Sequence, residues 1–407
     1  MTGVSVPPRG ENGRDQFRRL TILMTTTCVD MIGFGMILPL LPYYALELKA
    51  TPVEIGVIIA SFSVAQLLFA PVWGRVSDRY GRRPALMIGL SAAAVAYVVF
   101  GFADSVWLLL VSRVIQGAGG GTTGVAQAYV ADTIGPSDRA KALGWLSAST
   151  SLGVMLGPVI GSFAAHWGQA APGLVAAALN LTNVWFAWRW LPESRGTLGV
   201  TVARRPVWHA AWMVLTRPGD RVPQLVWVYA AGMLGFASMT SILSLYLGVR
   251  FGITERTIGY FFLYVGGLSL VMRSLVLGPF VRRFGEVGAM RSGTVLLTAG
   301  LVLYPVAESL WTLALIIPLV PIGTALLFPA TTALMSHASD PGELGTTMGV
   351  AQTFSGLSRV LAPLIATATF QRFGPPMPFF VAGLIVAFVG VLAFRIVPVL
   401  VPTPGEA

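Results

Sequence analysis

The sequence predicts an all-α membrane protein of twelve transmembrane helices, arranged as two pseudo-symmetric six-helix bundles. Composition gives the first observation, since 55% of the 407 residues are hydrophobic and only 11% are charged, against roughly 25% charged residues in an average soluble domain. The second observation is a series of apolar segments near the ~20 residues that a spanning helix needs. The third is a repeat of sequence features between the two halves of the chain.

Apolar segments recur along the whole chain and are separated by short polar connections. The predicted spans are 20–42, 53–74, 84–103, 106–131, 140–167, 173–191, 223–249, 256–279, 287–307, 311–335, 342–370 and 376–400. The one long interruption, residues 192–222, is rich in proline and arginine. Within it, the segment 207–215 predicts a short amphipathic helix lying along the membrane surface.

The two halves share features at a nearly constant offset. Gly144 and Pro158 match Gly349 and Pro363 after a shift of 205 residues. We therefore expect three parts: residues 1–191 as the N-terminal six-helix bundle, 192–222 as a cytoplasmic linker, and 223–407 as the C-terminal six-helix bundle. Internal duplication of this kind is typical of transporters, whose substrate site lies between the halves near the membrane midplane.

Basic residues predict the orientation of the chain. With the N-terminus placed in the cytoplasm, nineteen basic residues fall in cytoplasmic segments and four on the other side, namely Lys49, Arg250, Arg256 and Arg372. This bias predicts cytoplasmic termini in a multi-pass protein of the plasma (inner) membrane. We therefore interpret the net charge of +10 as a sign of which segments are cytoplasmic, and we expect no nucleic-acid partner. We expect a monomer in contact with the lipid bilayer.

Three sequence motifs carry a family resemblance. The segment between spans two and three contains Gly74, Asp78, Arg79, Gly81 and Arg82; span four contains Arg113 and Gln116; and span five contains Gly144, Gly153, Gly157, Pro158 and Gly161. The first resembles the signature loop of the major facilitator superfamily, and the third resembles the antiporter motif of its drug:proton antiporter group. Over essentially the whole chain, the sequence is similar to twelve-span tetracycline-efflux and multidrug exporters.

The resemblance implies the major facilitator fold and roles for several residues. Asp78 and Asp132 are implied to be gating residues, Asp78 meeting the start of span eleven and Asp132 pairing with Arg82 of the signature loop. Arg113 and Gln116 are implied to take part in proton transfer. The sequence departs from tetracycline exporters in spans three, eight and nine, which lack the acids and the histidine found there.

Asp30 is the only one of seventeen acidic residues that lies deep in a predicted span. Counting ~1.5 Å per residue from Leu20 places it ~15 Å into the membrane. Arg113 reaches a similar depth from the other side, so we expect an Asp30–Arg113 ion pair. The pair is either a permanent structural contact or a proton-sensitive one, and intramembrane charge favours the functional interpretation.

Positive charge also lies inside the second half. Arg359 and Arg273 are intramembrane cations, and together with Gln66 they are our candidates for lining the substrate cavity. Arg273 is also close enough to the cytoplasmic face for its side chain to reach the interface. Unpaired positive charge predicts a preference for neutral, zwitterionic or anionic substrates over quaternary cations.

These features favour a secondary active transporter that exports a small amphipathic, drug-like compound, with protons as the coupled partner and the proton gradient as energy source. The first alternative is a facilitator or importer of a metabolite or organic anion. The second is a scaffold or receptor that does not transport. The sequence shows no nucleotide-binding motif, no metal cluster and no nucleophile–base pair, so we expect neither an enzyme nor a bound metal or cofactor.

Overall fold

The computed structural model describes residues 13–194, 207–339 and 343–396, and these are almost entirely helical. Sixteen α-helices are found among them. Their bounds are α1 Gly13–Ile37, α2 Leu41–Glu47, α3 Pro52–Tyr80, α4 Arg82–Gly101, α5 Val106–Gly119, α6 Thr122–Thr133, α7 Pro136–Ala164, α8 Ala171–Trp190, α9 Val207–Thr216, α10 Arg221–Phe251, α11 Ile258–Val271, α12 Leu277–Leu303, α13 Leu310–Ile316, α14 Leu319–Ala338, α15 Leu344–Phe373 and α16 Met377–Arg395.

Eight helical stretches of the described residues are long and apolar enough to cross a membrane. One of them, Ile258–Val306, contains two spans, because Gly285 has φ of 70° and two helices meet there. The broken pair α5 and α6, together with α8 and α15, completes the twelve spans. These less apolar spans carry Arg113, Asn180 and Arg359, which lower their hydropathy. The predicted fold of twelve transmembrane helices is thus confirmed.

The described residues form two compact units, one comprising Met1–Val202 with Ile253–Leu263 and the other Ala203–Gly252 with Tyr264–Ala407. In the first unit α1 packs along α7 and α4 packs along α8, while in the second α12 packs along α14 and α10 along α15. The predicted boundaries at 191 and 223 stay a prediction, because much of the linker lies outside the described residues. A helix is present where the linker segment 207–215 predicts one, and Trp227 of α10 donates to the carbonyl of Val214 at 3.1 Å.

Candidate functional site

A polar cluster inside the first unit

Asp30 of α1 is buried in the first unit, with only 5% of its surface exposed. Its Oδ2 accepts a hydrogen bond from the hydroxyl of Thr122 at 2.8 Å. A carboxylate inside a membrane protein is costly unless it is paired or solvated. One neutral hydroxyl donor compensates only part of that cost, so the ionised form of Asp30 is high in free energy in this arrangement.

Arg113 of α5 is also buried, at 2% exposure, and its guanidinium carbon lies 5.7 Å from the ring centroid of Phe100. Its Nε and Nη2 have no hydrogen-bond partner among the described residues. The expected Asp30–Arg113 ion pair is absent there, since the salt bridges of the described chain join other residues. The physical reason is that Thr122 occupies the carboxylate while the guanidinium is held against an aromatic ring.

Tyr97 of α4 belongs to the same cluster. Its hydroxyl accepts a hydrogen bond from Nε2 of Gln116 at 2.7 Å and interacts electrostatically with both Asp30 and Arg113. Oε1 of Gln116 has no partner among the described residues. The structure therefore brings together the three predicted proton-coupling residues, Asp30, Arg113 and Gln116, but joins them through Tyr97 and not through a direct ion pair.

A break in the fourth span explains how Thr122 reaches Asp30. The backbone leaves the helix at Gly120 and Gly121, and α6 begins at Thr122. Interrupted helices leave carbonyl groups unpaired, which is tolerated in a membrane protein only where other groups satisfy them. Two side chains of α3 do so, Gln66 donating to the carbonyl of Gly120 at 3.2 Å and Trp73 to that of Ala118 at 2.5 Å.

A small cavity adjoins this cluster. Its volume is about 30 Å³ for water-sized molecules, and its polar lining consists of Asp30, Gln66, Tyr97, Gln116 and the two threonines at 122 and 123. A site needs ~10–15 Å³ on this measure to hold one water, and such a water needs two or more polar partners. The cavity has the size and the polar groups to bring water to the Asp30 carboxylate.

Residues that the sequence did not reveal complete the cluster. Tyr97 and Thr122 are hydroxyl residues in apolar spans, where such residues are common, so neither stands out by type. Asn183 of α8 donates to the carbonyl of Thr26 at 2.8 Å, and both Asn180 and Asn183 are buried with their Oδ1 atoms lacking a described partner. Two buried asparagines three residues apart in one span were the available signal, since buried amides usually have partners.

The cytoplasmic loop and the fifth span

Arg82 is the centre of a polar cluster at the end of the second span. It donates to Asp78 at 2.6 Å, to Asp132 at 2.8 Å and to the hydroxyl of Ser77 at 2.7 Å. The structure thus shows the Asp132–Arg82 contact that the resemblance implies. Asp78 shares the same arginine, and its contact with the start of span eleven stays a prediction, as does the gating role of both acids.

The start of α4 is capped by a residue that lies about 110 positions further along the chain, just after α8. Glu193 accepts hydrogen bonds from the backbone N–H groups of Arg82 at 2.8 Å and Arg83 at 3.1 Å. Gly81 has φ of +108°, a conformation that favours glycine, and a Cβ there would lie 2.5 Å from the Glu193 carboxylate. Two other residues of the predicted signature loop are not part of these contacts. Gly74 has open space around it, and Arg79 lies against the ring of Tyr80.

The antiporter motif forms a contact surface between α7 and α1. A Cβ on Gly157 would lie 2.6 Å from the carbonyl of Ile32, and one on Gly161 would lie 2.8 Å from that of Met36. Gly153 meets α1 as closely, at the carbonyl of Cys28, and Pro158 lies inside the same helix. A Cβ on Gly144, by contrast, would have no neighbour within 4 Å. Three of the four motif glycines therefore let two helices approach backbone to backbone.

Arg273 and Arg359 belong to the second unit, and Gln66 belongs to the first. The three substrate-cavity candidates therefore do not form one cluster within either unit. Gln66 lines the small cavity beside Asp30, whereas both arginines interact electrostatically with the hydroxyl of Tyr229 in α10. Tyr229 was not singled out from the sequence, because a tyrosine near a span end is usually an interfacial anchor.

Comparison with known proteins

Twelve transmembrane helices in two compact units, with charged side chains inside their spans, define an integral, multi-pass membrane transport protein. The chain belongs to the Major Facilitator Superfamily, whose sequence model matches residues 23–317 and, in a second match, 274–407. Its predicted likeness to the drug:proton antiporter group is confirmed by curated relatives. Tetracycline resistance protein, class B, of Escherichia coli is 28% identical, covering 86% of this chain and 88% of that protein.

Other relatives have names that do not refer to tetracycline. Multidrug resistance protein 1 of Bacillus subtilis (strain 168) is 28% identical and covers 86% of this chain and 90% of its own length. Among solved structures, the human organic anion transporter MFSD10 (TETRAN) has a TM-score of 0.68 at 24% identity, covering 93% of this chain and 99% of that one. At that identity the likeness shows the shared fold.

Proposed function

We propose that this transporter exports a small amphipathic organic compound by proton antiport, with Asp30 as the proton carrier. The observation that carries the proposal is the burial of Asp30 and Arg113 in one polar cluster without a direct ion pair. Charges inside a membrane protein are rare and mark transport pathways or proton relays. Asp30 is the one deep acid of the chain and therefore the one carboxyl able to carry a proton through this region.

The cluster offers two arrangements for the carboxylate. Asp30 takes a proton and keeps its contact with Thr122, or it stays ionised and gains Arg113 as partner. The side chains of Tyr97 and Gln116 are hydrogen-bonded to each other in the same cluster, and the adjoining cavity supplies space for water. A carrier must alternate between such states, and any ligand or proton that prefers one of them shifts the population toward it.

The Arg82 cluster supports a gated cycle. Three acceptors, from Ser77, Asp78 and Asp132, converge on one guanidinium at the end of α3 and the end of α6. Charge-assisted hydrogen bonds of this type are stronger than neutral ones. We propose that they favour one state of the carrier on the cytoplasmic side, to which the nineteen-to-four distribution of basic residues leads us to assign the loop and both termini.

Export is the proposed direction for two reasons. The glycines of the fifth span fit the antiporter motif of exporters, and the curated relatives are named for resistance to tetracycline or to multiple drugs. No metal or cofactor enters the proposal, because the proton gradient supplies the free energy. An expelled amphipathic compound fits the apolar spans better than a highly polar metabolite does.

A second candidate function is transport of an organic anion. It is favoured by the two arginines at Tyr229 in the second unit. The structural relative MFSD10 is described as an organic anion transporter, which is consistent with such a substrate. The two candidates differ in the sign of the substrate charge and agree on a carrier mechanism.

The decisive experiment measures accumulation of a compound panel in proteoliposomes with and without an imposed pH gradient. We expect gradient-dependent transport by the wild type, and loss of that dependence in Asp30→Asn with exchange of substrate retained, because asparagine cannot carry the proton. Asp104→Asn, in the loop before α5, is the matched control and should behave as wild type. Unchanged gradient-driven transport in Asp30→Asn would remove Asp30 from the mechanism.

A further inference from the structure

Oxygen atoms from several helices surround the small cavity beside Asp30. Asp30 of α1 offers a carboxylate, and Gln66 of α3 and Gln116 of α5 offer amide oxygens. Thr123 of α6 adds a hydroxyl, and Gly120 lies at the break in the fourth span. Oxygen donors of this kind are the ligands that hard cations prefer, whereas softer metals select sulfur or imidazole ligands. Among the described residues, no group of three or more His, Cys, Asp or Glu side chains could hold a metal ion, which argues against a transition metal.

The amide oxygen of Gln116 is the clearest candidate ligand. Gln116 is 4% exposed and lines the cavity, and its Nε2 donates to the hydroxyl of Tyr97 at 2.7 Å. That hydrogen bond fixes the direction of the amide and leaves Oε1, which has no hydrogen-bond partner among the described residues. Buried polar atoms nearly always have a partner, because a buried atom without one costs free energy. A cation in the cavity would be such a partner.

The break in the fourth span places the negative end of a helix at the same cavity. α5 ends at Gly119, and both Gly119 and Gly120 line the cavity. The last carbonyl groups of a helix carry the negative end of its dipole. In secondary transporters with interrupted helices, unwound carbonyls and the ends of half-helices are groups that coordinate sodium ions or protons. Asp30 and the end of α5 therefore offer two sources of negative charge to one small space.

The charges near Asp30 limit the ion to a single positive charge. Arg113 and Tyr97 interact electrostatically within this cluster, but Arg113 does not line the cavity, and its guanidinium lies against the ring of Phe100. The helices α6, α7 and α8 pack against α1 and carry their charged side chains near one end, at Asp132, Asp138, Arg139, Lys141 and Arg189. One carboxylate balances one positive charge, and the repulsion from Arg113 would be twice as large for a divalent ion.

We propose that this cavity binds a sodium ion, with ligands from Asp30, the amide oxygens of Gln66 and Gln116, and the carbonyl of Gly120. Gln66 donates through Nε2 to that carbonyl at 3.2 Å, which leaves its own Oε1 and a second lone pair of the carbonyl for the ion. The volume of about 30 Å³ exceeds the ~10–15 Å³ needed for one water, and a sodium ion is smaller than a water. The inference rests on the proposed carrier function and adds a second ion to it, because sodium and the proton compete for one carboxylate.

The test is binding of radioactive sodium to the purified full-length protein in detergent, with choline chloride keeping the ionic strength constant. We expect saturable binding that unlabelled sodium displaces and choline does not. Because a carboxylate must be ionised to bind a cation, the half-saturating sodium concentration should rise by up to ~tenfold for each unit by which the pH is lowered. This competition is measured on the wild type and needs no variant.

Two pairs of variants assign the ligands. Asp30→Asn should abolish saturable binding, whereas Asp104→Asn, in the exposed loop before α5, should leave it unchanged. Gln116→Leu should weaken binding by at least ~tenfold, as the loss of a group that supports a metal site does. Gln127→Leu, at an exposed position of α6, is its matched control and should bind sodium as the wild type does.

Absence of saturable sodium binding to the wild type would overturn the proposed site, as would equal displacement by choline. Binding that is retained in both Asp30→Asn and Gln116→Leu, or that does not weaken as the pH is lowered, would overturn it too. Proton coupling is tested separately in vesicles at Asp30. A proton carrier without a sodium site would therefore fail here and pass there, and a sodium site without proton-driven transport would do the reverse.

Discussion

At the scale of single residues, a buried hydrogen bond joins Gln116 and Tyr97 in the cluster that contains Asp30 and Arg113. Gln116 is 4% exposed and Tyr97 fully buried, so both groups are removed from bulk solvent. An orphaned buried donor costs ~1–3 kcal/mol, whereas loss of a hydroxyl that has no partner costs little. The contribution of this contact can therefore be separated from that of the aromatic ring itself.

Tyr97→Phe should lower the stability of the protein by ~1–3 kcal/mol, because Nε2 of Gln116 loses its acceptor. Tyr44→Phe is the matched control: Tyr44 is 3% exposed in the same unit, and its hydroxyl has no described partner. Thermal unfolding of both variants in one detergent gives the comparison. Equal unfolding temperatures for the two variants would show that the Gln116 contact contributes nothing.

The sequence revealed the charged members of this cluster and missed the neutral ones for a physical reason. A charge in an apolar span is expensive, so Asp30 and Arg113 could be singled out by type alone. A threonine or tyrosine in a span costs little and is common there. The contact of Thr122 with Asp30 occurs next to the break after Gly119, where side chains of α3 donate to the carbonyls of the interrupted helix. Hydrogen bonds between residues far apart in the chain cannot be predicted from a local sequence pattern.

At the scale of helices, contact between α1 and α7 depends on glycines that leave no room for a side chain. A Cβ on Gly157 would lie 2.6–2.7 Å from backbone atoms of Ile32 and Gly35. Backbone atoms of a packed helix cannot move aside as a flexible side chain can, so the helices would have to separate. Close packing of this kind supplies the van der Waals contact that holds helices together in lipid.

Gly157→Ala should destabilise the protein by ~1–3 kcal/mol through overpacking. Gly144→Ala, on the same helix and in the same motif, meets nothing within 4 Å. That substitution should be neutral or stabilising by up to ~1 kcal/mol, since alanine favours a helix. The measurement is thermal unfolding together with yield of folded protein. A larger loss at Gly144 than at Gly157 would contradict the packing argument.

The capped start of α4 carries a second prediction at this scale. Glu193 accepts from two backbone N–H groups that begin a span, and a carboxylate there also favours the positive end of the helix. Glu193→Ala should cost ~0.5–2 kcal/mol, the range found for loss of a helix cap. Glu308→Ala changes an exposed acid in the loop before α13 and should alter stability by less than ~0.5 kcal/mol. Similar values for the two variants would mean that the cap does not stabilise α4.

At the scale of the whole molecule, hydropathy and repetition were sufficient to predict twelve spans and the fold class. The hydropathy of a span is dictated by the bilayer, which requires apolar side chains along the whole span. The sequence signal therefore accumulates over ~20 positions. The π-turn at Met272–Val276, the break in the fourth span and the bend at Gly285 were not predicted. Each depends on one or two residues and on neighbours far away in the chain.

Orientation in the membrane is the remaining property of the whole molecule, and the chain offers a clean way to measure it. Cys28 is the only cysteine, so Cys28→Ser gives a background without thiols. Asp104→Cys lies in an exposed loop predicted to be external, and Gly219→Cys lies in the exposed end of the linker, predicted to be cytoplasmic. Both positions are polar loops, where a thiol is accessible and the fold is little affected.

In intact cells a membrane-impermeant maleimide should label Asp104→Cys and leave Gly219→Cys unlabelled, whereas both should be labelled after permeabilisation. The physical reason is the excess of arginine in the predicted cytoplasmic segments, which resist translocation across the membrane. The Cys28→Ser background, which should not react at all, controls for label on other proteins. Labelling of Gly219→Cys in intact cells would reverse the orientation and place the Arg82 cluster outside. The proposed gating on the cytoplasmic side would then be wrong, while the proton-carrier role of Asp30 would still have to be judged by its own experiment.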